Sequence, residues 1–569
     1  MSNLIFAAWR EAGDALDEAT LRRVADQIRP SGLERHAHHF ASAPREHLAI
    51  VGPPGAATSV GTSARVGAFS GTWKDWHLPG SPVPEGSFAL IRADASTVEL
   101  CSDFPGSRTL WYVRTATHFF ASTSQRALIG LLGDLKLNRA AAAWFLSSGS
   151  LGPVDGWDTR ISRLPGNARL TLDRATWTVE VATAPVAFNP RPARPADLRQ
   201  ELLQLLRDTV GGFDFSTAHW AFPLSGGYDC RFILGALHDQ GMRPHAITWG
   251  LAASLAQPGN DAYVAKALAA HYHLRHDYLL TEMSQEGPES VVDAFLAASG
   301  GGTDQLFPYL DGLRLWSSLP ERGIEGIIRG DEGFGWVPVK SEAYARSSVG
   351  MMLLSDFLPP ALAEAISGGD QHLPPAFERQ GTEESLACYR DRLYHTYRIP
   401  IGLAALNEVK APFVEIASPL ISRRVLEFVR QMPDALRTEK HLFRQVAKSV
   451  SPAIPYATMS ADDDRSGYLQ SEAYCRWMDT ELGSEVAHQL LPEAFRESLR
   501  QALRRQPSGL SPTRSLRAAL KRLIPTSWVR SFRAQLGPVV PSPRQLALRA
   551  SLTTRTVRML EADARAGRG

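Results

Sequence analysis

Apolar and polar positions alternate differently in two parts of the chain. Up to about residue 185 the apolar residues form short runs that alternate with polar positions and are separated by glycine and proline, which is typical of β-strands. Such runs occur at residues 87–91, 97–100, 109–113 and 118–121. A proline-rich segment at 189–195 follows and predicts a connector between domains. We therefore predict a β-rich domain over residues 1–188.

The second part, residues 196–499, alternates longer helical patterns with short apolar runs. Helical patterns cover 197–210 and 261–271, and buried strands are predicted at 220–224, 245–249, 277–280 and 324–328. This β-α-β order predicts a doubly wound parallel sheet, whose ligands bind at the carboxyl ends of the strands. Helical patterns dominate after about residue 350. The sequence therefore predicts an α/β domain after the β-rich one.

A third region, residues 500–569, is predicted to be an arginine-rich helical extension. It holds 14 arginines and one lysine but only two acidic residues, Glu561 and Asp563, although the whole chain carries a net charge of only +2. Two interpretations stay open. The arginines form a solvated helical surface, or they bind an acidic peptide, RNA or an anionic membrane.

Composition excludes several classes of protein. No stretch of 18 apolar residues predicts a membrane-spanning helix, and the first ten residues lack the basic and apolar regions of a signal peptide. The four cysteines are scattered and form no paired motif, which argues against a disulfide framework or a structural zinc site. We expect a cytoplasmic protein without a membrane partner.

The most informative motif is Ser-Gly-Gly-Tyr-Asp at residues 225–229, between a predicted strand and a predicted helix. Together with Ser225, Gly226 and Gly227 would hold phosphates, because glycines let the backbone approach an anion and a helix N-terminus favours negative charge. Asp229 would carry a metal-binding carboxylate into the same place. The motif is not the GxxxxGK[ST] loop of kinase-like NTPases. It resembles the pyrophosphate loop of ATP-pyrophosphatases, which cut ATP between the α and β phosphates; a plain turn before a helix is the alternative.

Two other predicted strands end in residues that would complete this site. Thr248 and Trp249 would lie beside the purine, and Gly330 and Asp331 would close a third side. Asp229 and Asp331 would share one Mg²⁺ that bridges the phosphates of ATP, because this ion prefers oxygen ligands and few protein carboxylates. An ordinary acidic loop is the alternative for the segment at Asp331.

These motifs and several others resemble the asparagine synthetase family over most of the first 460 residues. The matching segments are 103–112 (family D-R-F-G-x-R-P-L-Y-Y), 120–123 (F-A-S-E), 161–166 (I-x-x-L-P-P-G), 225–230 (S-G-G-x-D-S), 331–335 (D-E-x-F-G), 408–413 (E-A-R-V-P-F) and 440–444 (K-x-x-L-R). The resemblance implies a glutaminase-like β sandwich over residues 1–188 and an adenine-nucleotide α-hydrolase-like synthetase domain over 196–499. It also implies that the protein uses ATP and Mg²⁺.

Departures from the family pattern bear on the predicted activity. Ser2 stands where glutamine-hydrolysing members carry a cysteine, and a hydroxyl without a general base is a poor nucleophile, so we expect an inactive glutaminase domain. Cys230 replaces the last serine of the loop motif, and we interpret it as a buried helix residue of the nucleotide site. Residues 454–465 lack the lysine that the family keeps there, and Arg465 is the cation considered in its place. Residues 328–330 replace the usual G-E-G.

A family member without the glutaminase cysteine resembles two specialised branches, of which we favour the lasso-peptide cyclases. Such an enzyme adenylates an Asp or Glu side chain of a precursor peptide and joins it to the peptide's N-terminal amine as a macrolactam, releasing AMP and pyrophosphate. The implied partners are the precursor peptide, a leader peptidase and a leader-binding protein. Glu408 is the candidate proton acceptor or acceptor-positioning group, with a buried salt bridge as its alternative. Lys440 would stabilise negative charge, with a surface lysine as its alternative.

Three other functions stay open. The second branch resembles β-lactam synthetases and would join an amine and a carboxylate of a small molecule. A tRNA-modifying ATP-pyrophosphatase would use the arginine-rich extension on phosphates, but the β-rich first domain and the lack of paired cysteines argue against it, so we expect no nucleic-acid partner. The presence of both Asp229 and Asp331 argues against a non-catalytic scaffold.

Overall fold

The computed structural model describes residues 3–29, 37–52, 57–71, 73–153, 156–215, 219–461, 463–505 and 540–568, without the side chains of residues 37 and 463–466. The strands of this part are β1 Asn3–Trp9, β2 Ala37–Ala43, β3 Glu46–Gly52, β4 Ala57–Val60, β5 Ser63–Ser70, β6 Glu85–Ala93, β7 Thr97–Ser102, β8 Trp111–Arg114, β9 His118–Ser122, β10 Ser162–Arg163, β11 Arg169–Asp173, β12 Thr178–Ala182, β13 Trp220–Pro223, β14 His245–Gly250, β15 His276–Leu280, β16 Gly326–Ile328 and β17 Glu415–Ala417.

The α-helices of the described part follow the same chain order. They are α1 Glu18–Ile28, α2 Gln125–Leu132, α3 Arg139–Ser148, α4 Pro195–Gly211, α5 Tyr228–Asp239, α6 Asp261–His271, α7 Pro288–Ser299, α8 Arg314–Glu321, α9 Glu342–Ser348, α10 Pro360–Ser367, α11 Pro375–Glu378, α12 Leu386–Leu393, α13 Ala404–Lys410, α14 Arg423–Arg430, α15 Asp434–Arg437, α16 His441–Val450, α17 Glu472–Leu482, α18 Glu485–Leu490, α19 Glu493–Arg504 and α20 Pro543–Arg568. A π-helix, Tyr394–Leu403, joins α12 to α13 without a break.

Two antiparallel sheets pack together in the first part of the chain. Their strand orders are β10-β8-β9-β1-β3-β2 and β12-β11-β7-β6-β5-β4. In β1, Leu4, Phe6 and Ala8 face the core between the sheets, whereas Ile5 faces helix α1. Successive side chains of a strand point to opposite faces. The strand is therefore apolar from Leu4 to Trp9, because both of its faces are covered. The predicted β-rich part is therefore a two-sheet sandwich.

The parallel sheet has the strand order β15-β14-β13-β16-β17, and all of its neighbouring strands are parallel. The chain begins in the centre with β13, moves to one edge through β14 and β15, and returns to the other side with β16 and β17. Strand order therefore reverses between β13 and β16, and open α/β sheets bind ligands at such a point, beyond the carboxyl ends of the strands. The predicted parallel sheet is confirmed.

Helices cover both faces of this sheet. Ala221 of β13 and Ile247 of β14 pack against α7 and α8 on one face. Phe222 and Ala246, the neighbouring residues in the same strands, pack against α4, α5 and α16 on the other. This double cover explains why the strands are apolar without alternation. The sheet is doubly wound, as predicted.

Helix α20 packs into the body of the protein against α1, α2, α3, α17 and α19. Its Arg549 forms a buried ion pair of 2.7 Å with Asp304, and its Asp563 forms one of 2.8 Å with Arg126. This part of the predicted arginine-rich extension is thus built into the core, while residues 506–539 lie outside the described part. None of the described helices is long and apolar enough to span a lipid bilayer.

Candidate active site

The loop after β13 leads directly into the first turn of α5. Gly227 is the N-cap of that helix and provides no side chain to cap it, so the loop keeps backbone N–H groups at its N-terminus. Ser225 Oγ accepts a hydrogen bond from the Gly227 N–H at 3.3 Å. A Cβ at Gly226 would lie 2.5 Å from the Cβ of Ala457, so close packing requires glycine there. The predicted strand-turn-helix arrangement is present.

The loops that follow β13 and β16 meet beyond the carboxyl ends of these two neighbouring strands. A Cβ added at Gly330 would lie only 3.0 Å from the Cβ of Asp229, so this glycine lets the two loops touch. Asp331 follows in the second loop, where Arg329 donates to its Oδ1 at 3.1 Å and Ser418 donates to its Oδ2 at 3.1 Å. The structure therefore brings the two predicted metal-binding aspartates to the switch point of the sheet.

Lys440 links both loops to helix α16. Its Nζ lies 3.2 Å from Asp229 Oδ2 and 2.8 Å from Glu332 Oε1. Lys440 itself has a left-handed backbone, with φ of 59°, as does Glu439 before it, with φ of 56°. Such conformations are unfavourable for side-chain-bearing residues and persist where the surroundings enforce them. The ammonium group thus lies between two carboxylates on a segment with an unfavourable backbone conformation.

Burial and neighbouring charges shift the pKa values of Asp229, Glu332 and Asp331 in different directions. Burial raises the pKa of Asp229, Lys440 opposes this shift, and Asp331 adds to it. Burial also raises the pKa of Glu332, again opposed by Lys440. Burial acts in the same direction on Asp331, but Arg329, Lys410 and Ser418 together outweigh it and leave the pKa of Asp331 below its usual value. Asp331 is therefore the acid most firmly held as a carboxylate.

A cavity of about 380 Å³, the loop cavity, collects most of the predicted site residues. Those lining it are Ser225, Asp229, Cys230, Thr248, Trp249, Gly330 and Asp331, together with Pro223, Leu224, Asp261, Arg329, Ser460 and Ala461. Gly226 and Gly227 lie in the loop itself. The sequence prediction that three strand ends converge on one site matches this geometry.

Three of these residues support the walls of the loop cavity. Thr248 Oγ1 donates to the Leu224 carbonyl at 2.7 Å, which ties β14 to the loop. Trp249 packs edge-on against Trp316, with ring centroids 5.5 Å apart. Cys230 donates weakly to the Pro223 carbonyl at 3.4 Å, and burial raises the pKa of its thiol. A thiol with a raised pKa is a poor nucleophile. Cys230 lies in the first turn of α5, as interpreted, but it is only partly buried and lines the cavity.

A second cavity of about 180 Å³, the helix cavity, adjoins the loop cavity at three shared residues, Asp229, Gly330 and Asp331. Its other lining residues are Glu332, Tyr394, Arg398, Ile399, Leu403 and Leu406, most of them from the π-helix. The sequence analysis missed Tyr394 and Arg398. Pro400, inside a helical pattern, was the available signal. A proline interrupts the regular hydrogen bonds of an α-helix, and π-helical turns often occur at functional sites.

The chain segment at 454–461 covers the phosphate loop. Arg231, fully buried in α5, donates to the Ile454 carbonyl at 2.7 Å and to the Pro455 carbonyl at 2.6 Å. Tyr228 stacks on Tyr456 with ring centroids 4.1 Å apart. This is the segment that lacks the expected lysine, and the side chain of Arg465 lies outside the described part.

Helix α13 separates Glu408 from the acids at the switch point. Leu403 and Leu406 line the helix cavity, whereas Asn407 and Glu408 line a small cavity between the sandwich and the α/β part. There Glu408 accepts a hydrogen bond from Thr109, and burial raises its pKa to about 7. The structure thus brings Lys440 to the other predicted residues but places Glu408 apart from them.

Lys410, at the end of α13, interacts electrostatically with Asp331 and helps to lower the pKa of that acid. Its Nζ donates to the Leu406 carbonyl at 2.6 Å. Burial lowers the pKa of Lys410 to about 7, and the positive charge of Arg329 adds to this shift. The sequence analysis saw this lysine only as part of a family motif, because its burial beside Arg329 depends on tertiary packing.

The carboxylates suit a metal that is bound mainly by its substrate. Among the described residues, no group of three His, Cys, Asp or Glu side chains could hold a metal ion by itself. Asp229 and Asp331 interact electrostatically and line the same cavity. Mg²⁺ is commonly held by one or two carboxylates, with water and substrate phosphates as its remaining ligands. The two aspartates therefore fit Mg²⁺ brought in by a nucleotide.

Comparisons with known proteins do not assign a family. No protein-family model and no curated protein matches the chain. Solved structures to which the chain shows similarity include an allosteric regulatory enzyme of purine biosynthesis, with 7% identity, 50% of this chain and 81% of the other covered, and a TM-score of 0.21. Glutamine PRPP amidotransferase from B. subtilis, complexed with ADP and GMP, has 8% identity, coverages of 68% and 94%, and a TM-score of 0.21.

A third structure is NMN synthetase from Francisella tularensis, with 13% identity, 44% of this chain and 97% of the other covered, and a TM-score of 0.16. These TM-scores are too low to support an argument about fold or function. The functional assignment therefore depends on the site itself.

Proposed function

We propose that this protein is an ATP- and Mg²⁺-dependent ligase that adenylates a carboxylate and joins it to an amine. The observation that carries this proposal is the meeting of two cavities at Asp229, Gly330 and Asp331. One cavity contains a strand-turn-helix loop suited to phosphates, and the other offers room for an acyl donor beside it. Transfer of an adenylyl group from ATP to a carboxylate requires the two substrates to be held side by side in this way.

The proposed reaction has two steps. A carboxylate oxygen of the donor attacks the α-phosphorus of ATP, a P–O bond forms, and the bond to the β-phosphate oxygen breaks so that pyrophosphate leaves. The amine then attacks the acyl carbon, a C–N bond forms, the bond to AMP breaks, and the amine releases a proton to solvent. The net products are an amide, AMP and pyrophosphate.

Specific groups of the chain support the first step. Backbone N–H groups at the start of α5 would bind phosphate oxygens. Asp229 and Asp331 would hold Mg²⁺, whose positive charge would be supplied to the pyrophosphate group. Lys440, close to Asp229 and Glu332, adds positive charge beside the loop. The segment at 454–461, fixed by Arg231, shields the loop from water that would hydrolyse the adenylate.

In its finer form we propose a lasso-peptide cyclase, which forms a macrolactam from an Asp or Glu side chain and the N-terminal amine of a precursor peptide. The family motifs and Ser2 support this form, because without a glutaminase cysteine the amine must come from the substrate. A leader peptidase and a leader-binding protein would be its partners. The small volume of the helix cavity also favours one other candidate, a β-lactam-synthetase-like ligase of small molecules.

Mass spectrometry tests the proposed function. The full chain is incubated with ATP, Mg²⁺, the precursor peptide encoded beside its gene and the leader protease. We expect a product lighter than the core peptide by one water, with AMP in equal amount, and loss of both in Asp229→Asn and Asp331→Asn. Asp239→Asn, at the exposed end of α5, is the matched control. AMP formed only with small amino acids would favour the small-molecule ligase, and absence of AMP with every donor would reject the proposal.

A further inference from the structure

The three acids that line the helix cavity each have a cationic partner, whereas the arginine that lines it has no acidic partner among the described residues. Asp229 and Glu332 share Lys440, and Asp331 pairs with Arg329. Arg398 has no ion pair or hydrogen bond with any residue in the described ranges. A guanidinium presents five N–H donors in a rigid fork, which suits a carboxylate in a bidentate arrangement. The cavity therefore contains one cation that has no anionic counterpart among the described residues.

The position of Arg398 is fixed by the π-helix. Its guanidinium approaches Gly402, where an added Cβ would lie 3.2 Å from one Nη atom, and it also approaches Gly350. Tyr394, from the same π-helix, lines the cavity together with Arg398 and the three acids. Burial raises the pKa of Tyr394, the negative charges of the acids add to this shift, and Arg398 opposes it. The absence of side chains at Gly402 and Gly350 leaves room for the guanidinium at this wall.

The remaining walls indicate what kind of anion fits. Ile399, Leu403 and Leu406 provide apolar surface, and the cavity volume of about 180 Å³ is that of a side chain rather than of a folded peptide. A carboxylate entering this volume also approaches three acids, whose repulsion requires a compensating cation. A short aliphatic acid satisfies both conditions, with methylenes on the apolar wall and its carboxylate on the cation.

We infer that Arg398 binds the carboxylate of the acyl donor, and that the helix cavity receives an Asp- or Glu-type side chain whose methylenes contact Ile399, Leu403 and Leu406. This inference rests on the proposed adenylation. Arg398 holds the carboxylate within the helix cavity, which adjoins the loop cavity where the α-phosphate of ATP is expected. It is thereby a specificity-determining residue, which selects acids over their uncharged amides.

Ligand-observed NMR titration tests this assignment with N-acetyl-glutamic acid α-amide as the probe and N-acetyl-glutamine α-amide as its uncharged counterpart. The full chain is first saturated with Mg²⁺ and the uncleavable α,β-methylene analogue of ATP. We expect the acid to bind and the amide not to bind. Arg398→Gln should weaken acid binding by about tenfold or more, and Arg398→Lys should retain part of it.

The matched control is Arg392→Gln, on the preceding helix, where the arginine pairs with Glu384 outside both cavities. It should bind the acid like the wild type. Equal binding of the acid to wild type and Arg398→Gln, or equal binding of acid and amide to the wild type, would overturn the inference. If no variant binds the nucleotide, the proposed function fails separately, and the same titration without nucleotide still tests Arg398.

Discussion

At the residue scale, the site depends on how buried charges are balanced. Asp229 and Glu332 carry raised pKa values, so their negative charge is maintained by Lys440 rather than by solvent. Lys440 gains from both, and its pKa is raised although burial alone would lower it. The ammonium group of Lys440 therefore balances one carboxylate in each of the two loops. This makes Lys440 the most important single side chain of the site.

Lys440→Met is expected to abolish activity and to destabilise the fold. It leaves Asp229 and Glu332 without their cation in a largely buried place, which costs about 2–3 kcal/mol of unfolding free energy. Urea denaturation and AMP release measure the two effects. Lys448→Met, in the last turn of the same helix, is the control. The double variant Lys440→Met/Glu332→Gln should regain stability without regaining activity. If the single variant kept both stability and turnover, the assigned role of Lys440 would be wrong.

A pH-dependent contribution to stability is expected from Glu408. Its pKa in the folded protein is about 7, above the ordinary value of 4.5, so the folded state binds more protons than the unfolded state between these values. The stabilisation is complete below pH 4.5 and is lost as the pH rises through about 7. The difference in unfolding free energy between wild type and Glu408→Gln should fall accordingly, by at most about 1.4 kcal/mol per pH unit. A difference that stays constant between pH 4.5 and 7 would contradict this expectation.

At the scale of elements, the active geometry arises where strand order reverses. Strands β13 and β16 end side by side, and glycines 226 and 330 allow their loops to pack against the segment at 454–461 and against each other. Neither glycine has a left-handed backbone in the structure, so the space they leave, rather than their conformational freedom, is what the site requires.

Gly226→Ala should therefore destabilise the loop and weaken nucleotide binding. Its Cβ would lie 2.5 Å from Ala457 and 2.9 Å from a methyl group of Val264, and such overpacking costs about 1–3 kcal/mol. Thermal melting with and without Mg-ATP measures both effects. Gly227→Ala serves as the stability control, because its Cβ would meet only Ser225 Oγ, at 3.4 Å. Equal melting temperatures for the two variants would show that the packing at Gly226 is not limiting.

The sequence predicts this part of the structure well, because the central strands are continuous apolar runs followed by glycine and acid. Strand β17 is missed because three residues, Glu415–Ala417, carry no periodic signal. The π-helix and the helix cavity are missed for another reason: Tyr394 and Arg398 approach Asp331 only through packing between distant segments. The position of Glu408 likewise depends on which face of α13 meets the sandwich.

At the scale of the whole molecule, the C-terminal helix α20 contacts both the β-rich part and the α/β part of the chain. Arg549 donates to the Leu146 carbonyl at 3.0 Å and pairs with Asp304, and Asp563 pairs with Arg126. These contacts join the sandwich side, the α/β part and the C-terminal helix. Arg549, the buried arginine of this helix, is therefore engaged by contacts within the chain.

Arg549→Met is thus expected to destabilise the whole protein by about 3–5 kcal/mol, because Asp304 would remain buried without its cation. Guanidinium denaturation measures the loss, and Asp304→Asn in the same chain should restore part of it. Arg565→Met, at an exposed position of the same helix, should change stability by no more than about 0.5 kcal/mol. Equal effects of the two arginine substitutions would contradict the structural role of Arg549.

The central claim is that the protein transfers AMP from ATP to a carboxylate. The transfer takes place where the two cavities meet at Asp229, Gly330 and Asp331. Exchange of labelled pyrophosphate into ATP tests it most directly, because only reversible cleavage between the α and β phosphates incorporates the label. We predict exchange that requires Mg²⁺ and a carboxylate donor, is lost in Asp229→Asn and Asp331→Asn, and persists in Asp239→Asn. Release of ADP and phosphate without any pyrophosphate exchange would contradict the proposed chemistry.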